Sequence, residues 1–173
     1  MSGLNYDAKA TLVQRMVDNG QAFRTFVEVV VPANGSYDLS ILNGENAVGL
    51  YSRLLIPDQP NMRYEVRVNA SITGYTGDPI KIRNANAKKP TPSANTFRRC
   101  TQNGLGELAD IDIIPGQAAS GSNASGDVYS DPDDLKILND NEEFLLHLIN
   151  PNNDPANVLL YLKWFEVPAT IWD

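Results

Sequence analysis

The stretch Val17-Asp-Asn-Gly-Gln-Ala-Phe-Arg-Thr-Phe-Val-Glu-Val-Val-Val-Pro-Ala-Asn-Gly-Ser36 decides the fold class. Phe23–Val31 is rich in Phe, Thr and Val, residue types that suit a pleated, half-buried strand. Pro32 cannot donate to a strand ladder, and Asn34-Gly35 favours a turn because both residues tolerate positive φ. The next residues alternate between polar and apolar side chains. Phe23–Leu42 is therefore predicted to be a β-hairpin.

Strand-like segments separated by Pro, Asn or Gly turns continue along the rest of the chain. They are Leu50–Ile56, Met62–Ile72, Ile80–Arg83, Thr96–Gln102, Leu108–Ile114, Phe144–Ile149 and Val158–Val167. The last two are predicted to form a second hairpin, and both faces of the last one are apolar, which indicates a central or covered strand. About eight or nine short strands are typical of an all-β, antiparallel two-sheet sandwich, and we expect a jelly roll.

The chain is predicted to have a short N-terminal element and one domain. In residues 1–20, Leu12, Val13, Met16 and Val17 have helical spacing and Asp18-Asn-Gly20 follows them, which predicts an arm or short helix. Residues 21–173 predict a single β-sandwich domain, because a chain of 173 residues can bury one sizeable core. The small residues of Gly116–Gly126 predict a flexible loop.

The composition excludes several classes of protein. Apolar residues make up 42% and charged residues 20%, as in folded soluble proteins. No apolar run approaches the roughly 20 residues of a membrane span, and the N-terminus lacks the features of a signal peptide. Cys100 is the only cysteine, which fits folding in a reducing cytoplasm. A net charge of −7 argues against nucleic acid as a partner.

Chemistry-bearing residues are sparse. His147 is the only histidine and lies within an apolar strand, so we expect a packed imidazole. Cys100 follows Arg98-Arg99, which could lower its pKa, but a small buried thiol is the favoured interpretation. The sequence contains no nucleophile elbow, phosphate loop or zinc-ligand spacing. The chain is predicted not to be an enzyme and to need no cofactor.

Charges of opposite sign are segregated along the chain. The acidic residues of Asp127–Glu143 include Asp131, Asp133 and Asp134, the best calcium candidates, although a solvated acidic loop is the favoured interpretation. The basic residues concentrate elsewhere, at Lys81, Arg83, Lys88, Lys89, Arg98 and Arg99. They form either a solvated face or a contact surface for an acidic partner, such as the acidic stretch of a neighbouring copy. These nine residues are the predicted partner-binding set, and such patches suit a ring-forming contact.

A resemblance adds a functional expectation. Asp18-Asn-Gly-Gln-Ala-Phe-Arg24, the strand after it, and Pro32-Ala-Asn-Gly-Ser36 resemble short structural virion proteins of tailed bacteriophages, most of all capsid decoration (cement) proteins. The resemblance covers about the first quarter of the chain and contains no catalytic or binding motif. It implies a sandwich or jelly roll, assembled in the host cytoplasm, that binds the major capsid protein or another virion protein. It also implies a homo-oligomer, with a trimer favoured.

Two other functions remain open on the sequence alone. One is a carbohydrate- or receptor-binding module of a phage tail, in which Trp164, Trp172 and the tyrosines would stack on sugars. The competing interpretation places Trp164 in the core. The other is an enzyme on a β-sandwich that uses paired carboxylates. It is disfavoured because the acidic residues cluster in one polar segment.

Overall fold

A computed structural model describes residues 6–88, 90–114, 136–138 and 142–168. Within those ranges the chain is a two-sheet β-sandwich with one helix, α1 (Tyr6–Asp18), which confirms the predicted fold class. The strands are β1 (Ala22–Val31), β2 (Gly35–Leu42), β3 (Asn46–Pro57), β4 (Met62–Val68), β5 (Ser71–Thr76), β6 (Ile82–Asn84), β7 (Thr96–Gly104), β8 (Glu107–Ile114), β9 (Lys136–Leu138), β10 (Glu143–Asn150) and β11 (Ala156–Pro168). None of the helical segments described there is long and apolar enough to cross a membrane. The loop predicted at Gly116–Gly126 lies outside the described residues.

The strands form two antiparallel sheets. The five-stranded sheet has the order β6-β1-β11-β3-β9, and the six-stranded sheet has the order β5-β7-β2-β10-β4-β8. β11 lies at the centre of its sheet, which confirms the prediction that this strand is central. The strands on its two sides, β1 and β3, are both long. The backbone N–H and C=O groups of β11 are therefore paired along both of its edges.

The pairing is nested. β1 pairs with β11, β2 with β10, β3 with β9 and β4 with β8. The first and last parts of the chain therefore run side by side as one antiparallel ribbon, which passes back and forth between the two sheets. The strands between β4 and β8 in sequence extend the sheets, because β6 adds to β1 and the pair β5-β7 adds to β2.

Both predicted hairpins are wrong, although their strands form. β1 and β2 belong to different sheets, and so do β10 and β11. The two connecting turns cross between the sheets side by side: the Asn34 amide donates to the Asn152 carbonyl at 2.8 Å. The Asn150 side-chain amide also donates to the Pro32 carbonyl at 3.1 Å. A turn rich in Asn and Pro can reverse the chain within one sheet or carry it to the other sheet. These two hydrogen bonds favour the crossing to the other sheet.

The predicted strand Met62–Ile72 is also interrupted. Asn69 has a φ of 57°, in the left-handed region that extended strands do not use, and the chain divides there into β4 and β5. A long alternating pattern does not reveal such a break, because Asn is compatible with either conformation.

The core lies between the sheets. Trp164 is fully buried there, and its ring lies 6.1 Å from that of Phe23 and 5.0 Å from that of Phe97, measured between centroids. This contact joins β11 and β1 to β7 of the other sheet. The inward faces are therefore filled, and the two outward faces are left for contacts with other molecules.

Candidate functional site

The outer face of the five-stranded sheet carries side chains in rows. Cross-strand partners in an antiparallel sheet point to the same side, so the register defines each row. Arg24 lies opposite Arg83 on one side and opposite Lys163 on the other. We call these three residues the basic row. In the next row, Phe26 lies opposite Tyr161, which lies opposite Leu54.

A groove of about 390 Å³ runs beside these two rows. It is lined by Arg24, Thr25, Phe26, Lys81, Arg83 and Tyr161, and we call it the basic groove. The Thr25 hydroxyl donates to the Lys81 carbonyl at 3.0 Å, which holds the segment before β6 against β1. The Lys163 ammonium lies 5.0 Å from the centroid of the Tyr161 ring, a cation–π contact.

The cations of the groove lack acidic partners within the part of the chain that the structure describes. No carboxylate there forms an ion pair with Arg24, Lys81 or Arg83. Like charges directly opposite one another across strands are destabilising. The groove is therefore suited to an anionic group that arrives from elsewhere and has apolar or aromatic surface beside its charge.

An apolar strip continues from the groove along the same face. Phe26 is 61% exposed and Val30 57% exposed, although both are large apolar side chains. The partly buried members of the strip come from β3 and β11 in register with β1: Leu54, Ile56, Leu159 and Tyr161. Glu28, which is exposed, lies between Phe26 and Val30 on β1 and adds one carboxylate to the strip. Exposed apolar side chains grouped on one face mark interaction sites more often than scattered single residues do.

The outer face of the six-stranded sheet is charged but paired within the chain. Glu65 is buried, and its carboxylate accepts from Arg63 at 3.1 Å and from Arg67 at 2.8 Å. Beside it on β10, the Nδ1 atom of His147 lies 2.5 Å from the Oδ1 atom of Asp38. His147 is buried, which confirms the predicted packed imidazole, and it lies in register between Asp38 and Glu65.

The same face holds Cys100 in an environment that disfavours the thiolate. Burial, together with the negative charges of Asp38 and Glu143, raises the pKa of the Cys100 thiol to about 11. Glu143 itself accepts hydrogen bonds from Ser40 and, at 2.7 Å, from Tyr75. A thiol held protonated at neutral pH is a poor nucleophile. The prediction of a small buried thiol is confirmed.

The structure divides the predicted basic residues between the two sheets. Lys81 and Arg83 line the basic groove, and Lys88 is exposed in the turn that follows β6. Arg98 and Arg99 lie on β7, where their guanidinium carbons are 6.0 Å and 5.0 Å from the ring centroids of Tyr75 and Tyr37. Lys89, Asp131, Asp133 and Asp134 lie outside the described residues. The partner-binding role of the set stays a prediction, as does calcium binding by the acidic residues. Among the described residues, no three His, Cys, Asp or Glu side chains are grouped to hold a metal.

Sequence reasoning missed four residues of this face: Arg24, Phe26, Tyr161 and Lys163. The alternation of β1 does place Arg24 and Phe26 on the other face of the strand from the buried Phe23 and Thr25. An outward-facing aromatic residue could therefore have been noticed from the sequence. The pairing that brings β6 and β11 to the two sides of β1 joins residues far apart in the chain. No local pattern contains that information.

Comparisons with known proteins add little to this description. No family model matches the chain, and no curated protein matches it. A solved structure, an unassembled KI polyomavirus VP1 pentamer, shares 10% sequence identity over 83% of this chain and 71% of that chain. The TM-score is 0.12, a likeness too weak to bear on the fold or the function.

Proposed function

We propose that this chain is a non-enzymatic structural protein of a tailed-phage particle, which binds the capsid shell and stabilises it. The observation that carries the proposal is the apolar strip, whose Phe26 and Val30 are more than half exposed on an otherwise well-packed sandwich. The nested strand pairing supports a finer proposal, that the sandwich is a jelly roll. That architecture recurs in viral capsid domains and in lectins.

The mechanism would be contact rather than chemistry. A protein that binds only the assembled shell stabilises that state by mass action. An oligomer that engages several subunits at once gains further, because each later contact forms at high effective concentration. The outer face of the five-stranded sheet supplies exposed apolar side chains for such a contact, together with the charged groups of Glu28 and the basic row.

Sedimentation with phage shells that lack the protein tests the proposal. The wild-type chain is expected to sediment with the shells and to raise their melting temperature. The double variant Phe26→Asp/Val30→Asp puts two charges in the middle of the strip and is expected to weaken binding on the order of 100-fold.

A matched control comes from the other sheet. Leu108 and Ile111 on β8 are 49% and 40% exposed, and Leu108→Asp/Ile111→Asp introduces the same two charges away from the strip. This variant is expected to bind shells as the wild type does. Failure of the wild type to bind shells would overturn the proposal, and equal loss in both variants would remove the strip from it.

Carbohydrate binding by a phage tail module is the second candidate, and a specific observation now bears on it. Trp164 is fully buried and its indole donates to Glu166 at 3.0 Å, so it offers no platform to a sugar. Phe26 and Tyr161 do present aromatic surface beside three cations, which suits an acidic glycan. A glycan array decides: binding that Phe26→Asp abolishes, without binding to shells, would favour this candidate.

A further inference from the structure

The basic row is a costly arrangement for an isolated chain. Arg83, Arg24 and Lys163 occupy neighbouring strands in direct register, so three positive charges lie side by side across the sheet. Lys163 gains a contact with the Tyr161 ring, but the described residues offer no carboxylate to the two arginines. An anionic partner would convert this repulsion into attraction, and two aromatic rings beside the row would pack against its apolar part.

The sequence of this chain contains a segment with that chemistry. Asp127-Val-Tyr-Ser-Asp-Pro-Asp-Asp134 carries four carboxylates together with Val128 and Tyr129. The acidic groups match the basic row, and the two apolar residues match Phe26 and Tyr161.

The segment is attached to the opposite edge of the same sheet. The order β6-β1-β11-β3-β9 places the basic row at the β6 edge and β9 at the other. Asp134 precedes Lys136 of β9 by two residues, so chain connectivity keeps their Cα atoms within about 7 Å. At a strand spacing of about 4.8 Å, β1 and β6 lie about 14 and 19 Å across the sheet from β9. One sheet thus has a cationic edge and an edge tethered to an acidic segment.

We infer that copies of this chain associate head to tail, with the basic groove of one copy binding the Asp127–Asp134 segment of the next. A contact between two different surfaces of the same chain propagates around a ring and closes when the rotation allows it. The inference gives the oligomer of the proposed function its contact, but self-association and shell binding are separate properties and can be measured separately.

A charge swap tests the inference, with molar mass measured by light scattering and association constants by sedimentation equilibrium. Arg24→Glu/Arg83→Glu is expected to lower the association constant on the order of 10- to 100-fold. Asp131→Lys/Asp133→Lys is expected to do the same from the other side of the contact. The two pairs of substitutions combined in one chain restore the attraction with reversed signs, so association is expected to recover most of its strength.

The control variant is Lys9→Glu/Arg15→Glu. It changes the net charge by the same amount as Arg24→Glu/Arg83→Glu, at two positions of α1, neither of which lines the groove. It is expected to leave the association constant within about threefold of the wild-type value, because surface charges beyond a screening length interact weakly. Denaturation by urea verifies that each variant is folded.

Four outcomes would overturn the inference. The wild type could be monomeric at all concentrations, or its association could be indifferent to Arg24→Glu/Arg83→Glu. The combined variant could associate no better than either parent. The charge-reversal substitutions in the groove and in the segment could change the free energy of unfolding without changing the molar mass. That result would mean that the segment binds the groove of its own chain. If the wild type is a monomer that binds shells, the proposed function stands and the inference fails. If it is an oligomer that binds no shell, the inference stands and the proposed function fails.

Discussion

The two outer faces of the sandwich both carry charged side chains, and they differ in where the opposite charges are. On the six-stranded sheet, Glu65 lies between Arg63 and Arg67 and accepts from both. On the five-stranded sheet, Arg24 faces Arg83 across the strands, with no acidic partner among the described residues. Removing one member of a buried charge pair is strongly destabilising, whereas like charges that face each other across strands repel and favour the binding of an anionic group.

The apolar residues follow the same division. The exposed Phe26 and Val30 of the five-stranded sheet share their face with partly buried apolar residues on two strands, β11 and β3. On the six-stranded sheet the large apolar side chains that are exposed belong to Leu42, Tyr75, Leu108 and Ile111, and they are spread over β2, β5 and β8. We therefore expect structural roles for the paired charges of one face and contact roles for the other face, and each expectation can be tested by substitution.

The largest expected effect is that of Glu65→Ala. The substitution removes a buried carboxylate and leaves two guanidinium groups without their partner, and Arg67 is itself mostly buried. We expect a loss of about 2–4 kcal/mol in the free energy of unfolding, measured by urea denaturation. Glu107→Ala, at an exposed position of β8, is the control and should cost less than about 0.5 kcal/mol. Equal losses in the two variants would show that the ionic contacts of Glu65 are not structural.

The next effect concerns the pair Asp38 and His147. Asp38→Ala leaves a buried imidazole without its hydrogen-bond partner, and we expect a loss of about 1–3 kcal/mol. His147→Ala alone should cost a similar amount. The double variant should lose less than the sum of the two, because the interaction can be removed only once. Additive losses would mean that the two side chains do not stabilise each other.

The sequence predicted the strands of the fold well and their connections poorly. Alternation and Pro or Asn punctuation locate β1, β2, β10 and β11 correctly, since a strand with one buried face carries that pattern whatever its neighbour is. The pattern does not say whether a turn reverses the chain within a sheet or carries it to the other sheet. The contact between Asn34 and Asn152 that favours the crossing joins residues over a hundred positions apart.

The candidate site was predictable to a similar extent. Lys81 and Arg83 stood out because positive charge is locally concentrated in an acidic chain. Arg24 did not stand out, because within β1 it is one cation among apolar neighbours and gains its role from Arg83, its partner in β6. Arg98 and Arg99 were grouped with these residues by sequence proximity, whereas they lie on the other sheet against Tyr75 and Tyr37.

A smaller effect depends on pH and concerns Cys100. The native pKa of about 11 exceeds the ordinary thiol value of about 8.5 in the unfolded chain. The unfolded state therefore releases its proton first, and the stability due to Cys100 is present below about pH 8.5 and lost as pH rises towards 11.

Comparison with Cys100→Ala isolates this effect from the other groups that titrate in the same range. The wild-type advantage in free energy of unfolding over Cys100→Ala should shrink from pH 8 to pH 10.5, about half a unit below the native pKa. Urea midpoints of both proteins at each pH provide the measurement. A constant difference would mean that the thiol is as easily ionised in the folded chain as in the unfolded one.

The smallest effect tests the contrast between the faces most directly. Arg24→Gln removes one charge from the basic row, so in the monomer it should raise the free energy of unfolding by about 0.2–0.5 kcal/mol at low salt. The gain should fade at high ionic strength, because the repulsion is exposed to solvent and is screened. Arg67→Gln on the other face removes a guanidinium group that donates to the Glu65 carboxylate, so it should lower the free energy of unfolding. Both variants are compared at concentrations where the chain is monomeric, so that lost self-association does not mask the gain. If both lowered stability, Arg24 would have an acidic partner within its own chain, and the division of the charges between the two faces would no longer hold.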